Sequence, residues 1–251
     1  MNRVDNRRIT NRKGLQSVTA ENTHCDAVVL TSGGLDSSVL LHHVSRSSAR
    51  VAALCVNYGQ RHNREMECAR FQASAAGVAS FFIVDMGCLG TFLKTSSALI
   101  QDGPAIPRLD ALPESVRQQP PTYVPNRNMI LLSVAAAYAE SMGAPCVYYG
   151  AQAQDEYGYW DCTERFLERI NTLLALNRRN AVAVKAPLIS NSKADNVRLG
   201  MKLGVDFAHT WSCYRGESMA CGVCPTCVER IKAFQLVGGT DPLPYSDGPG
   251  S

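Results

Sequence analysis

Asp26-Ala27-Val28-Val29-Leu30-Thr31-Ser32-Gly33-Gly34-Leu35-Asp36-Ser37-Ser38 is the stretch whose reading decides the fold. Ala27, Val28, Val29 and Leu30 form a short apolar run with two β-branched residues, which predicts a strand buried on both faces. Ser32, Gly33 and Gly34 break the run, and Asp36, Ser37 and Ser38 open an apolar-periodic stretch through Val39, Leu40, Leu41 and Val44, which predicts a helix. Backbone N–H groups at a helix start, left uncovered by glycines that lack a Cβ, make an anion site. An ordinary βα turn also contains glycine, but this loop has neither a Walker lysine nor the G-x-G-x-x-G spacing.

Working outward, the alternation repeats. Residues 51–56 read as a second strand ending in Asn57-Tyr58-Gly59-Gln60-Arg61-His62, followed by a helix over 63–76 stopped at Gly77 and a third strand over 81–84. Strand–helix alternation of this kind predicts a doubly wound, mainly parallel α/β sheet. Residues 86–121 carry prolines at 104, 107, 113, 120 and 121 and read as an irregular functional loop or lid. A nearly all-apolar helix over 129–142 follows Val124-Pro125-Asn126-Arg127-Asn128 and is predicted to lie buried on the sheet. A fourth strand over 146–149, a polar and aromatic loop over 150–163, a helix over 164–176 and a strand over 181–184 come next. Ser192 then reads as the N-cap of a helix running to Leu203 and stopped by Gly204, and the last helix is placed over 227–237. The chain divides into a lead over 1–24, predicted disordered, an α/β nucleotide-binding domain over 25–207, a metal-binding region over 208–245 and a tail over 246–251.

Bulk properties narrow the class. A chain of 251 residues, 45% hydrophobic and 19% charged, suits one soluble globular domain with an appendage. No apolar run reaches the roughly 18 residues of a membrane span, and no apolar segment near the N-terminus reads as a secretory signal, so a cytoplasmic protein is expected. Residues 1–13 hold five basic residues and one acid, a charge of +4; taking that from the formal +3 leaves −1 for the rest, so the body is not expected to bind nucleic acid.

Of ten cysteines, six are dispersed and Cys213, Cys221, Cys224 and Cys227 cluster. The spacing C-x2-C-x2-C, with a fourth thiol eight residues upstream, suits a tetrahedral site closed to further ligands, either structural zinc or an iron–sulfur centre. His209 is a spare candidate ligand. Lys193, in a helix first turn, opposes the helix dipole; a phosphate would explain it, as would plain exposure. Arg127 suits a phosphate, a carboxylate or a structural ion pair. Arg61 ends a strand, where open α/β sheets place ligands. Tyr159, Trp160 and Asp161 lie in a loop able to stack on and hydrogen-bond a purine-like ring. Cys162, nearby, has no activating neighbour visible in the sequence.

Taken in order, the Ser32–Ser38 loop, Asn57 to His62, Val124 to Asn128, Gly158 to Cys162, Ser192-Lys193-Ala194, Trp211-Ser212-Cys213-Tyr214 and the C-x2-C-x2-C knuckle resemble the QueC family of PP-loop ATP pyrophosphatases, the 7-cyano-7-deazaguanine synthases. The resemblance runs from about Asp26 to Tyr245. It implies an adenine nucleotide alpha hydrolase-like fold and an ATP-dependent ligase acting on 7-carboxy-7-deazaguanine and ammonia in queuosine or other deazapurine biosynthesis. It assigns ATP binding with Mg²⁺ to Thr31, Ser32, Gly33, Gly34, Leu35, Asp36, Ser37 and Ser38. It makes Asp36, Arg127 and Lys193 the catalytic set, Arg61, Tyr159, Trp160 and Asp161 the acceptor-binding set, and the four clustered cysteines ligands of one structural Zn²⁺ per chain. It also implies a homodimer. The chain departs from the family's usual pattern at Ser38 for Thr, Asn126 for Gly, Gly158 following Tyr157, Trp160 for Pro and Thr163 for Arg. The changes in the acceptor loop keep open a paralogue that stops at the amide or passes the acyl group to another amine. A PP-loop tRNA thiolase and a non-catalytic zinc-knuckle protein are further readings.

Overall fold

The computed structural model describes residues 24–61, 64–106, 121–152, 159–215 and 218–246. The lead over 1–23, residues 107–120 of the proposed lid, residues 153–158 of the acceptor loop and the last five residues therefore lie outside the described residues. In chain order the elements are β1 (Ala27–Leu30), α1 (Leu35–Ser47), β2 (Val51–Asn57), α2 (Arg64–Ala75), β3 (Ser80–Asp85), α3 (Cys88–Leu93), α4 (Arg127–Ser141), β4 (Cys146–Tyr148), α5 (Glu164–Leu174), β5 (Ala183–Lys185), α6 (Lys193–Leu203) and α7 (Pro225–Leu236). The five strands form one sheet in the order β3-β2-β1-β4-β5, and every pairing is parallel. The doubly wound sheet expected from the alternation is present.

Alternate residues of β1 supply both layers of the core. Ala27 and Val29 face a layer built from α1, α6 and α7, with Leu40, Val197 and Phe234 packed together. Val28 faces the opposite layer with Leu132 and Ala135 of α4 and Phe166 and Ile170 of α5. A strand covered on both faces must be apolar throughout, which is why β1 and β2 read as runs rather than alternations. The expected burial of α4 is observed at Leu132, Ala135, Ala136 and Ala139.

Several boundaries shift for local reasons. The helix expected over 129–142 begins at Arg127, because Asn126 takes the left-handed conformation (φ 55°) that turns the chain into it. A short asparagine side chain tolerates that region better than most, which explains how a residue other than glycine stands there. The last helix, expected from 227, starts at Pro225, whose missing N–H is harmless at a first helical position. Residues 86–121 are not irregular throughout: α3 forms there, and Gly59 (φ 84°) packs so tightly on it that a Cβ would stand 2.8 Å from the Cα of Gly90. The fourth strand stops at Tyr148, and the fifth starts at Ala183.

Candidate active site

The strand order reverses at β1, between β2 and β4, and open α/β sheets bind ligands at the carboxyl ends of the strands flanking such a point. A cavity of about 290 Å³ lies there, at the lower edge of the range for small-molecule sites. Its floor is the Ser32–Ser37 loop. Gly33 (φ 80°) lies against the first turn of α2: a Cβ would fall 2.1 Å from the Glu65 carbonyl oxygen and 2.5 Å from the Ala69 nitrogen. Only glycine supports both the conformation and the approach. The serines shape the loop from inside. The Ser32 N–H donates to Ser37 Oγ (3.1 Å), the Gly34 N–H donates to Ser32 Oγ (3.2 Å), and the Ser37 hydroxyl donates to the Gly34 carbonyl (3.1 Å). No side chain caps α1 at Gly34, so its first-turn N–H groups remain available to an anion.

Three elements bring charge to this floor. Ser192 caps α6 as expected, in a reciprocal capping box with Asp195. That cap aims Lys193 at the loop, where Lys193 Nζ lies 2.7 Å from Asp36 Oδ2. One helical turn on, Asn196 Nδ2 donates to Asp36 Oδ1 (2.8 Å). The lysine that opposes its own helix dipole is thus matched by a carboxylate from α1. Arg127 enters from the start of α4 and shares a hydrogen bond with Tyr58. Burial works against the Arg127 charge, but Tyr58, Cys162, Tyr214 and Asp161 around it raise its pKa, so it is a fixed cation. Glu65 is the residue the sequence did not single out. It lines the same cavity, and burial pushes its carboxyl up to about 7 although Arg127 pulls the other way. Acids are ordinary in helix first turns, so the sequence carried no distinguishing signal for it.

Thr31, Ser32, Gly34, Leu35, Asp36, Ser37, Arg61, Arg127, Tyr159 and Lys193 all line the cavity, as do Cys162, Tyr149 and Tyr214. Gly33 and Ser38 stand behind it, Ser38 fully buried. Arg61 spends its guanidinium on the carbonyls of Ala98 (3.2 Å), Gly103 (3.1 Å) and Pro104 (2.8 Å), and so pins the segment after α3 to the cavity mouth. Trp160 does not line the cavity: its indole N–H donates to Tyr123 Oη (2.8 Å) and its ring meets Phe166 edge-on. Asp161 is also behind the wall; it is buried and accepts from the Asn128 N–H (3.1 Å) at the start of α4. Thr163 caps α5 by accepting from the Phe166 N–H (3.2 Å). The departures at 160 and 163 therefore serve packing and capping among the described residues.

Cys213, Cys221, Cys224 and Cys227 are buried, with sulfurs within 4.8 Å of one another. Tetrahedral thiolates at a zinc–sulfur distance of about 2.3 Å are separated by about 3.8 Å, so this cluster fits such an ion. Backbone N–H groups of Cys221 and Cys224 point at the sulfurs of Cys213 (3.4 Å) and Cys221 (3.3 Å), as suits thiolates. No disulfide joins any of the described cysteines. His209 stands apart: Nδ1 pairs with Asp206 (2.7 Å) and the ring stacks on Phe71. The knuckle is joined to the loop, since the Trp211 N–H donates to the Gly33 carbonyl (2.9 Å) and Trp211 Nε1 donates to the Cys213 carbonyl (3.1 Å). The Arg64 guanidinium lies over the Trp211 ring at 4.1 Å.

Fold and loop together define a PP-loop nucleotide-binding α/β protein with a C-terminal four-cysteine site. The chain belongs to the QueC family, whose model, described as "Queuosine biosynthesis protein QueC", matches residues 26–238. It is 39% identical over 227 residues to a 7-cyano-7-deazaguanine synthase from Clostridium kluyveri, covering 87% of this chain and 97% of that one. It is 41% identical to the one from Hahella chejuensis over 219 residues (87% and 92%) and 42% identical to the one from Thermoplasma acidophilum over 229 residues (89% and 93%). No helix among the described residues is long and apolar enough to cross a membrane.

Proposed function

We propose that this chain is the ATP-dependent ligase that converts 7-carboxy-7-deazaguanine and ammonia to 7-cyano-7-deazaguanine. The observation that carries the reading is the convergence of Asp36, Lys193 and Arg127, from three different elements, on one glycine-floored cavity at the switch point of the sheet. The substrate carboxylate attacks the α-phosphorus of ATP, pyrophosphate leaves, and an acyl-adenylate forms. Oxide is a poor leaving group and AMP a good one, so ammonia can then displace AMP to give the amide. A second adenylation, on the amide oxygen, lets AMP depart as the nitrile forms. The α1 N–H groups, with Ser32 and Ser37, bind the phosphates. Arg127 and Lys193 neutralise the charge that develops, and Asp36 would help hold the Mg²⁺ that accompanies ATP, which would shield the phosphate charge.

The four cysteines would hold a structural Zn²⁺, which would supply a crosslink rather than take part in the chemistry. The lack of a disulfide among the described cysteines suits a reducing cytoplasm. Tyr159, half-buried with its hydroxyl 2.8 Å from Thr122 Oγ1, lines the cavity and is the residue of the acceptor-loop set assigned to contact the acceptor ring. The reading that stops at the amide gains no support from Trp160 and Thr163, which stand away from the cavity.

The test is purified protein with 7-carboxy-7-deazaguanine, ATP, Mg²⁺ and ammonium, the products read by mass spectrometry. The expected product is the nitrile, with AMP and pyrophosphate. Accumulation of an amide that never dehydrates would overturn the second step, and no consumption of ATP would overturn both.

A further inference from the structure

Glu65 has no part in the phosphate chemistry above, and its place is unusual. It sits in the first turn of α2, the turn against which Gly33 is packed, so its backbone is held to the phosphate-binding loop. Its side chain lines the cavity with Arg127, Tyr58 and Tyr214. Among the acids lining that cavity, Asp36 is paired with Lys193, and Glu229 also has a partner. Glu65 has neither a hydrogen bond nor an ion pair within 4.0 Å among the described residues. Its electrostatic partner is Arg127, at longer range. ATP and a carboxylate acid are both anions and would be repelled by this group. Ammonium is the one substrate of opposite sign.

We propose that Glu65 is the ammonium-binding residue of the ligase and the base that frees ammonia for attack. The assignment rests on the ligase reading given above. Ammonium held by the carboxylate gives one proton to Glu65. The nitrogen lone pair so exposed attacks the carbonyl carbon of the acyl-adenylate and forms the C–N bond. The C–O bond to AMP breaks with its electron pair on AMP, and the surplus proton on nitrogen passes to the departing AMP phosphate. Glu65 then returns its proton to water.

The surroundings suit a proton acceptor working near neutrality. The titratable and charged groups facing Glu65 are Arg127 from α4, Tyr58 and Cys55 from the end of β2 and the residue after it, and Cys68 from α2 itself. Burial raises Tyr58, Cys55 and Cys68, so all three remain protonated and neutral in the range where Glu65 titrates, and Arg127 stays cationic. The burial that raises Glu65 therefore makes it a stronger acceptor than an ordinary carboxylate.

The experiment separates the two half-reactions in the full-length, metal-loaded protein. Pyrophosphate–ATP exchange with 7-carboxy-7-deazaguanine and no ammonium reports adenylation. Amide formation across an ammonium chloride titration reports amine capture, and hydroxylamine, neutral at pH 7, reports attack that needs no prior deprotonation. Glu65→Gln is expected to keep exchange within about threefold of wild type and to form hydroxamate at a similar rate. Its KM for ammonium is expected to rise at least tenfold. An unchanged ammonium KM, or a parallel loss of exchange and amide formation, overturns the assignment. If E65Q does not fold, Glu65→Asp is read on the same assays: a raised ammonium KM with exchange retained supports the proposal, and an unchanged KM overturns it. Wild-type protein that shows no exchange overturns the ligase reading itself and this assignment with it.

Discussion

Glu65 shows at the scale of one residue what a site costs its fold. Burial takes its carboxyl from an ordinary value of 4.5 to about 7. Between those values the folded chain keeps a proton that the unfolded chain has released. Stability therefore falls as pH rises through this window, and the full penalty stands above about pH 7. At about 1.4 kcal/mol per unit the penalty is at most about 3.5 kcal/mol, less to the extent that the cavity admits water. E65Q is accordingly expected to be more stable than wild type by about 1–3 kcal/mol near pH 8 and nearly equal to it near pH 5, measured by urea unfolding at the two pH values. A group that weakens the fold at working pH is one whose retention needs a functional reason. Gly33 makes the complementary point. Its φ of 80° and the Glu65 carbonyl beside it exclude every other residue, and that constraint brings Glu65 to the site.

Among elements, α6 does the most with the fewest residues. A capping box fixes its first turn, and that turn carries both Lys193 and Asn196 to the two oxygens of Asp36. The Lys193–Asp36 pair is part-exposed, with side chains 28% and 21% accessible, so it contributes at most about 1 kcal/mol to stability. Its value lies in holding a cation at the phosphate loop. Lys193→Ala is therefore expected to lower pyrophosphate release by at least about a hundredfold while the urea midpoint stays near that of wild type. A large loss of stability with little loss of rate would contradict this role. Element α4 is set by a comparable local device: Asn126 in the left-handed region turns the chain so that Arg127 faces the cavity, and Asp161 accepts from the next N–H but one after Asn126, at Asn128.

Across the whole molecule, the C-terminal segment is a brace for the loop. Trp211 joins Gly33, and Thr226 Oγ1 donates to the Ser212 carbonyl (2.7 Å), so the cysteine cluster and the phosphate-binding loop share one stretch of backbone. Arg230, 1% exposed, binds both oxygens of Asp241 (2.7 and 3.0 Å) and the Phe207 carbonyl (2.9 Å). Tyr245 donates to Asp241 (2.5 Å), and Pro244 and Ser246 join Ala220 through backbone hydrogen bonds. Removal of the metal by a chelator is therefore expected to lower the melting temperature by at least about 5 °C and to reduce ATP-dependent pyrophosphate release in parallel. Metal analysis of the native protein should find about one zinc per chain. Full activity in verified metal-free protein would show the brace to be dispensable.

What the sequence determined by itself is whatever short-range chemistry dictates. The β1–loop–α1 unit, the Ser192 cap and Gly204 stop of α6, and the cysteine spacing all depend on residues a few positions apart, and each stands in the structure where its pattern put it. The tertiary structure alone decided which distant groups meet. The Asp36–Lys193 pair spans 157 positions, and the Trp211–Gly33 bond likewise joins residues far apart in the chain. It also turned Trp160 and Asp161 away from the cavity and Glu65 into it. Periodicity shows which face of an element is apolar. It does not show where a polar side chain at the edge of that face ends, because that depends on the register of neighbouring elements, fixed only when the sheet and both helical layers close together.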